Sequence, residues 1–195
     1  MSIFSPKELD TLGLASYGKD VRISRKASLH NPSQITIGDH VRIDDFCVLS
    51  AGKGGIEIGD YIHIAVFCSL IGAGKIKLDD FCNLSSRVSI YSSNDDYTGQ
   101  YMTNPMAPPE FTNVSHADVL VGKHVIVGSG SVVLPGLRLE EGVAVGALSL
   151  VTKPCEAFGI YAGVPARRIA ERRRDLLEIE KRLRQQSIPI ADVEP

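Results

Sequence analysis

Three consecutive polar residues near the middle of the chain, Asn94, Asp95 and Asp96, have side chains suited to acid–base chemistry. A positioned carboxylate can act as a general base, and it also suits the binding of an ammonium group. The same residue types are common at the start of Asx turns, which would give them a role in the loop alone. The segment is therefore interpreted in one of two ways: as a site of proton transfer and cation binding, or as the turn that starts a loop.

Two histidines, His63 and His116, are further candidates for proton transfer because imidazole titrates near neutral pH. The other three histidines, His30, His40 and His124, are interpreted as structural or exposed residues. His63, His116 and His124 lack the short ligand spacing of a metal site, so we predict that no metal is bound.

A repeat of six residues runs from Val121 to Thr152 and defines the elements that must position these side chains. Six successive hexads open with Val or Leu, at positions 121, 127, 133, 139, 145 and 151. Neither a helical nor a strand period gives this spacing, whereas a parallel β-helix does. We expect the first residue of each hexad to point inward and to stack at about 4.8 Å on its equivalent in the next coil. The glycine that often follows is attributed to a tight corner.

The same repeat is legible from Ile35 onward, and three hexads make one coil of 18 residues. Two glycine-rich insertions, at residues 51–55 and 72–74, are predicted to share one corner of the triangular coil. A much longer interval separates Ile90 from Val121. It predicts an excursion over residues 92–118, and long loops on rigid scaffolds are where function usually lies.

Composition limits the functional classes. The chain has 195 residues and a net charge of −2, which argues against binding to nucleic acid or to an anionic membrane. It contains no 18-residue apolar run, and its start does not resemble a signal peptide. Cys47, Cys68 and Cys82 occupy the fifth positions of hexads, so we interpret them as reduced core thiols. These features predict one cytoplasmic domain.

Both ends of the chain are predicted to be helical, which divides it into residues 1–34, the β-helix at 35–153 and a C-terminal segment at 154–195. Ser5, Pro6 and Glu8 match the start of a short helix that ends near Gly13 and covers the open end of the coils. A longer helix is expected from Ala166 to about Gln186, followed by a frayed tail at residues 187–195. The residues expected to face inward are Ile169, Leu176, Leu177, Ile179 and Leu183.

Two stretches give the chain a resemblance to a known family. The hexads from Val119 end in Val151-Thr-Lys and are followed by Tyr161-Ala-Gly-Val-Pro-Ala-Arg. Together they resemble the left-handed β-helix hexapeptide-repeat acyltransferases, and most closely the nucleotide-sugar N-acyltransferases and their sugar O-acetyltransferase relatives. The resemblance covers Ile35 to Arg168. It implies an all-β, left-handed parallel β-helix that forms a homotrimer with three active sites between subunits.

The resemblance also implies acetyl-CoA or another acyl-CoA as co-substrate. Coenzyme A is polyanionic at one end and needs cations there, with amide donors along its pantetheine arm. The matched positions are Ser129, Gly130 and Ala147 for the pantetheine arm, Thr152 and Lys153 for the adenosine and phosphates, and Arg168 or its neighbour Arg167 for the 3′-phosphate.

The chemical class of the acceptor is inferred from a position at which this chain differs from the family pattern. Many sugar O-acetyltransferases of the family have a catalytic histidine at the start of the excursion, where this chain has Asp95 and its neighbours. A hydroxyl must lose its proton as it attacks, which favours a histidine base, whereas a free amine is already nucleophilic. We therefore predict N-acylation of a nucleotide-linked amino sugar for surface polysaccharide assembly, with Asp95 as the catalytic carboxylate. The acceptor is expected to contact Asn83, Asn94, Asp96 and Tyr97, and Ser85, at a corner beneath the excursion, to donate to the oxyanion.

Three alternatives remain open. If His63 or His116 is the base, the acceptor is a sugar hydroxyl and the reaction is O-acetylation. Ser85 is equally well explained as a small corner residue. A β-helix of the zinc-hydrase type, with histidines that converge between subunits, and a non-catalytic scaffold are the remaining classes.

Overall fold

The computed structural model describes residues 2–186, and it forms a parallel β-helix. Each coil contributes one short strand to each of three sheets, as the hexad repeat predicts. Six complete coils stack on one another, and a seventh begins after residue 151. Neither α-helix in the described residues is both long and apolar enough to cross a membrane.

The strands are numbered β1 to β22 in chain order. Sheet 1 contains β1 (Ser16–Tyr17), β4 (Ile35–Ile37), β7 (Ile56–Ile58), β10 (Ile76–Leu78), β15 (Val119–Val121) and β18 (Arg138–Leu139). Sheet 2 contains β2 (Arg22–Ile23), β5 (Arg42–Ile43), β8 (His63–Ile64), β11 (Asn83–Leu84), β16 (Ile126–Val127), β19 (Ala144–Val145), β21 (Gly159–Gly163) and β22 (Ala166–Glu171). Sheet 3 contains β3 (Ser28–His30), β6 (Val48–Ala51), β9 (Ser69–Gly72), β12 (Ser89–Tyr91), β17 (Val132–Val133) and β20 (Leu150–Val151).

The core is the column of hexad-opening side chains, as predicted. From Ile37 to Val151, every one of them is at most 3% exposed. Burial of each such aliphatic side chain contributes about 1.5–3 kcal/mol. All four cysteines are buried and free, which agrees with the prediction of reduced core thiols.

The glycines at the second hexad position are required for a reason other than the one predicted. Gly128 has an ordinary φ, but a Cβ there would lie 2.5 Å from the backbone nitrogen of Ala147 in the next coil. Close stacking of the coils therefore excludes a side chain. The tight corner falls two residues later, where Phe67 (φ +62°) and Gly130 (φ +72°) adopt the left-handed conformation.

Aspartates at the third hexad position tie successive coils together. Asp39 Oδ1 accepts from the backbone N–H of Lys19 at 2.7 Å, and Asp60 Oδ1 accepts from that of Asp39 at 2.7 Å. Asp80 Oδ1 accepts in the same way from Asp60 at 3.0 Å. The result is a ladder of carboxylates along one corner, which satisfies backbone donors that the sheets leave unpaired.

The N-terminal part follows the prediction with two differences. Helix α1 spans Pro6–Leu9 with a capping box between Ser5 and Glu8, and it ends four residues before Gly13. Leu9 is buried against the first coil, which the helix covers. Strand pairing already begins at Ser16, so the boundary drawn at residue 35 falls inside the stack.

The prediction of one helix from Ala166 to about Gln186 is wrong. Strand β22 runs antiparallel to β21 and pairs with its edge, and helix α2 begins only at Asp175 and ends at Gln186. An unpaired strand edge at the end of the stack favours this return strand. Ile169 and Ile179, which were expected to face inward, are 65% and 61% exposed, whereas Glu180 is buried. The tail at residues 187–195 lies outside the described residues.

The excursion leaves sheet 3 after Tyr91. Its two ends pair as an antiparallel ribbon of β13 (Ser93–Asn94) and β14 (Ser115–His116), and a short 3-10 helix spans Pro109–Phe111. Tyr97 and Met106 near its tip are 86% and 89% exposed. The ribbon fixes the base of the loop at the corner between sheets 3 and 1, where the glycine-rich insertions also stack, as predicted.

Candidate active site

Asp95 lies in a cavity of about 330 Å³ between the excursion and the outer face of sheet 3. Its carboxylate has no hydrogen-bond or ion-pair partner among residues 2–186. The side-chain amide of the neighbouring Asn94 donates to the Asp95 carbonyl at 3.1 Å and not to the carboxylate. Apolar side chains form the opposite wall. The full lining is Tyr91, Ser93, Asn94, Asp95, Tyr97, Val132, Leu134 and Pro135. A partner-free carboxylate beside an apolar wall is suited to bind a cation from outside the chain.

Asp96 has a different role in the same loop. Its Oδ1 accepts from the backbone N–H of Thr98 at 2.8 Å, and its Oδ2 accepts from that of Tyr101 at 3.0 Å. The hydrogen bond with Thr98 is the main reason why the pKa of Asp96 lies below its ordinary value. Asp96 is thus the loop-starting turn residue, and Asp95 is left free.

His116 lies outside the Asp95 cavity. Its Nδ1 is 2.8 Å from Ser93 Oγ, and its ring lines a second cavity on the other side of the ribbon. Within the described part of the chain, no carboxylate is hydrogen-bonded to the ring. The structure therefore separates His116 from Asp95 although both belong to the base of the excursion.

His63 lies on sheet 2, next to Asn83 in the adjacent strand. Its Nε2 is 3.0 Å from Oδ2 of Asp44, a residue that is 5% exposed. The other oxygen of that carboxylate, Oδ1, accepts from Arg42 Nε at 2.7 Å. Sequence analysis missed Asp44. The available signal was a carboxylate at the second hexad position, where most hexads have a small residue. Asn83 is on sheet 2, one sheet away from the excursion. Ser85 was expected beneath the excursion but lies at the opposite end of the sheet 3 strands.

Ser85 lies at the corner between sheets 2 and 3. Its backbone N–H donates to the carbonyl of Val127, and no side-chain partner is present among residues 2–186. The same corner continues into the next two coils as Ser129 and Ala147, both exposed, with Gly130 in the left-handed conformation beside them. These small residues form a narrow track along the prism edge that leads away from Ser85.

The remaining candidates for cofactor binding differ in whether their side-chain charges are already paired with acidic residues of the chain. Thr152 and Lys153 follow β20 at the corner between sheets 3 and 1, and Lys153 has no ion-pair partner in the described part of the chain. Arg168 forms ion pairs with Glu171 and, at 3.9 Å, with Glu156. Among residues 2–186, the Arg167 guanidinium bonds to the carbonyl of Ala166 and has no acidic partner. Arg167 is therefore the freer cation of the pair.

The candidates fall into two groups at opposite ends of the sheet 3 strands. One group lies on sheet 2 and at the corner that precedes these strands, and it contains His63, Asn83, Ser85, Ser129, Gly130 and Ala147. The other lies at the corner that follows them, and it contains Asn94, Asp95, Asp96, Tyr97, His116, Thr152 and Lys153. Within residues 2–186, no three His, Cys, Asp or Glu side chains are grouped closely enough to hold a metal ion.

Comparisons with known proteins give close relatives, although no protein-family model matches the chain. The dTDP-4-amino-4,6-dideoxy-D-glucose acyltransferase of Escherichia coli is 54% identical over 180 residues, which cover 92% of this chain and 94% of that protein. A putative lipopolysaccharide biosynthesis O-acetyltransferase of Escherichia coli K12 is 30% identical over 156 residues, or 74% of this chain and 72% of that protein.

Crystal structures of AntD, an N-acyltransferase from Bacillus cereus, have the same fold. A variant in complex with dTDP and coenzyme A has a TM-score of 0.91 and 43% identity over 95% of this chain and 98% of AntD. Another, with dTDP-4-amino-4,6-dideoxyglucose and coenzyme A, has a TM-score of 0.90 and 42% identity over the same shares. The chain therefore belongs to the left-handed β-helix acyltransferases, in the group of nucleotide-linked amino-sugar N-acyltransferases.

Proposed function

We propose that this chain transfers the acyl group of acyl-CoA to the 4-amino group of a dTDP-linked 4-amino-4,6-dideoxyhexose. The observation that carries the proposal is the 54% identity, over nearly the whole of both chains, to an acyltransferase named for that sugar nucleotide. The partner-free Asp95 carboxylate supports it, because an amino sugar is an ammonium ion near neutral pH. AntD has also been crystallised with 3-hydroxybutyryl-CoA, so acyl groups longer than acetyl are included in the proposal.

Asp95 would bind the ammonium group of the sugar and remove its protons. Loss of the first proton, through Asp95 to solvent, frees the nitrogen lone pair. The nitrogen then attacks the thioester carbonyl carbon, and a C–N bond forms. Collapse of the tetrahedral intermediate breaks the C–S bond, and the second proton from nitrogen neutralises the departing thiolate. General-base assistance of this kind is typically worth about 10²–10⁴ in rate.

Ser85 would donate a hydrogen bond to the oxyanion of the tetrahedral intermediate. Its hydroxyl has no partner among residues 2–186 and lies at the start of the small-residue track. AntD has been crystallised with substitutions at one serine and at one aspartate ten positions later in its chain. Ser85 and Asp95 have the same residue types and the same separation, which supports a joint role for them.

Coenzyme A would lie along the track formed by Ser129, Gly130 and Ala147. Exposed backbone groups there can bond to the amides of the pantetheine arm, since no large polar side chain covers them. Arg167, on β22 of sheet 2, offers a cation without an ion-pair partner among residues 2–186 for its phosphates. Lys153 and Thr152 lie at the opposite corner, so they would reach the phosphates from a neighbouring subunit. Arg168, the residue first favoured for the 3′-phosphate, would have to leave Glu171 to take part.

A homotrimer would unite the two groups of candidates. Ser85 and the track lie at one end of the sheet 3 strands and Asp95 at the other, so neighbouring subunits can each supply one group to a shared site. Exposed apolar side chains occur in both regions, and Leu148 on the track side is 74% exposed. Patches of this kind are typical of contact surfaces. We place the reaction in the cytoplasm, in surface polysaccharide assembly, since the four thiols are free and a relative is named for lipopolysaccharide biosynthesis.

The proposal is tested by thiol release from acetyl-CoA with three acceptors: a dTDP-linked 4-amino sugar, the matching 4-hydroxy sugar nucleotide, and a free amino sugar. We expect thiol release with the dTDP-linked 4-amino sugar. Asp95→Asn should abolish this release, and His63→Ala should retain it. O-acetylation is the competing function. The buried Asp44 carboxylate is hydrogen-bonded to His63, and a histidine that acts as a general base is commonly held by a third group in this way. If the parent acetylates the 4-hydroxy sugar nucleotide and His63→Ala does not, O-acetylation is the function instead.

A further inference from the structure

Two buried thiols lie on the inner side of the corner that carries Ser85. Cys68, at the fifth position of its hexad, is 0% exposed, and its Sγ lies 3.1 Å from the carbonyl oxygen of Ser85 in the next coil. Cys47 repeats this arrangement one coil earlier, with its Sγ 3.0 Å from the carbonyl oxygen of Ala65. Each thiol can therefore donate a hydrogen bond to the second residue of the hexad that stacks on it.

The Cys68 thiol keeps the proton that this contact needs. A hydrogen bond with the Cys47 thiol, together with burial, raises the pKa of the Cys68 thiol above its ordinary value. No backbone N–H within residues 2–186 donates to the Ser85 carbonyl, so the thiol is the group that satisfies it. Loss of the thiol would leave this carbonyl without its internal donor.

The same column of the stack shows which side chains the Cys68 position accepts. Val88 occupies the equivalent position in the next coil and is fully buried. Ser131 and Ser149 occupy it in the two coils that follow. The Ser131 hydroxyl donates to the carbonyl of Gly146 at 2.9 Å, as the Cys68 thiol does to its own acceptor. Valine and serine therefore both fit the column, and only serine brings a donor.

The backbone on each side of the Ser85 carbonyl is also held. The Ser85 N–H donates to the carbonyl of Val127 at 2.9 Å, and the carbonyl of Ser86 accepts from the N–H of Gly130 at 3.0 Å. The carbonyl between these two bonds is the one that Cys68 contacts. Since the peptide planes on either side of Ser85 fix the direction of its Cα–Cβ bond, the thiol helps to set where the hydroxyl points.

We propose that Cys68 is a positioning residue for the acyl transfer: its buried S–H group holds the Ser85 carbonyl and thereby aims the Ser85 hydroxyl at the oxyanion. The inference deepens the proposed function and rests on it for the role of Ser85. Ala65, at the matching place in the preceding coil, has no polar side chain to aim. Cys47 thus makes the same backbone contact without a consequence for the reaction.

Steady-state acylation of the dTDP-linked 4-amino sugar tests this. We expect Cys68→Val to lower kcat about three- to tenfold with unchanged KM for both substrates, because the oxyanion contact is made only in the transition state. Cys68→Ser keeps a donor and should restore most of the activity. Cys47→Val, the matched control, should behave like the parent. In a Ser85→Ala background, Cys68→Val should cause no further loss, because it acts through that hydroxyl.

Three results would overturn the inference. One is an equal loss of kcat in Cys47→Val, since packing in the column would then explain both effects. The others are a Cys68→Ser variant as slow as Cys68→Val, and an undiminished effect of Cys68→Val in the Ser85→Ala background. Should Cys68→Val fail to fold, Cys68→Ala, which also lacks a donor and is smaller, takes its place.

A parent protein that acylates no amino sugar would sink the proposed function but not the contact. The carbon-13 chemical shift of the Ser85 carbonyl then decides between the two. A change of this shift in Cys68→Val and not in Cys47→Val would support the contact, and an unchanged shift in both variants would overturn it.

Discussion

Asp95 and Asp96 are adjacent, but their carboxylates have different roles in the structure. Asp96 bonds to two backbone N–H groups and holds the turn, whereas Asp95 has no partner in the described chain and lies in a cavity. From the sequence, Asp95 is predicted as the catalytic carboxylate and Asp96 as a contact of the acceptor, but which of them starts the turn is left open. Only the three-dimensional structure shows which of the two carboxylates accepts hydrogen bonds from backbone N–H groups.

The two aspartates should respond differently to amide substitution. Asp95→Asn is expected to lower kcat/KM by about 10²–10⁴, because it removes the carboxylate proposed to bind and deprotonate the amine. Its melting temperature should be unchanged, since that carboxylate has no partner among residues 2–186. Asp96→Asn loses one acceptor for a backbone donor, so its main effect should be on the ordering of the loop and on KM. Steady-state kinetics and thermal denaturation of both variants check this. A larger fall of kcat in Asp96→Asn would reverse the assignment.

Other residues show where sequence reasoning ends. The pairing of His63 with buried Asp44 depends on the alignment of neighbouring strands, which a hexad pattern alone does not reveal. Asp95 was predicted because it replaces an expected histidine in a recognisable segment.

At the scale of elements, the hexads predicted the coils well because inward stacking imposes a strict period. The C-terminal helix was predicted less well. Arg167 to Arg174 have no period that separates strand from helix, and the decisive factor is the free edge of β21. Helix α2 then docks through charges, which an apolar pattern cannot predict. Glu180 accepts from Lys123 at 2.6 Å, His124 at 2.7 Å and Arg184 at 2.6 Å.

This docking should be sensitive to acid. Burial opposes the ionisation of Glu180, but hydrogen bonds from Lys123, Arg184 and His124 outweigh it and lower its pKa to about 2. Because this pKa lies below the ordinary value of 4.5, the stabilisation is complete above pH 4.5 and is lost as the pH falls towards 2. Amide hydrogen exchange should therefore show α2 opening over that range before the coils unfold.

Glu180→Gln should release α2 at neutral pH. We expect it to lower the free energy of docking of the helix by about 2 kcal/mol. Glu178→Gln is the control, since its partner Lys181 forms an exposed pair on the same helix. Equal protection of α2 in both variants at pH 7 would show that the charge cluster does not hold the helix.

At the scale of the whole molecule, the single chain divides the candidate residues between two corners, and the proposed trimer unites them. Mixing two inactive variants tests this directly. If each site takes Ser85 from one subunit and Asp95 from its neighbour, random co-assembly of Ser85→Ala with Asp95→Asn chains should restore roughly a quarter of the sites. If both residues came from the same chain, no site would be intact, and the mixture would stay as inactive as either variant.

The most direct measurement is the chemical identity of the product. The protein would be incubated with acetyl-CoA and dTDP-4-amino-4,6-dideoxyglucose, and the sugar nucleotide would be analysed by mass spectrometry before and after treatment with hydroxylamine. The account predicts a gain of one acetyl group that resists hydroxylamine, because it is held in an amide. A hydroxylamine-labile acetyl group would be an ester on a hydroxyl and would contradict the account, as would the absence of any acetylated product.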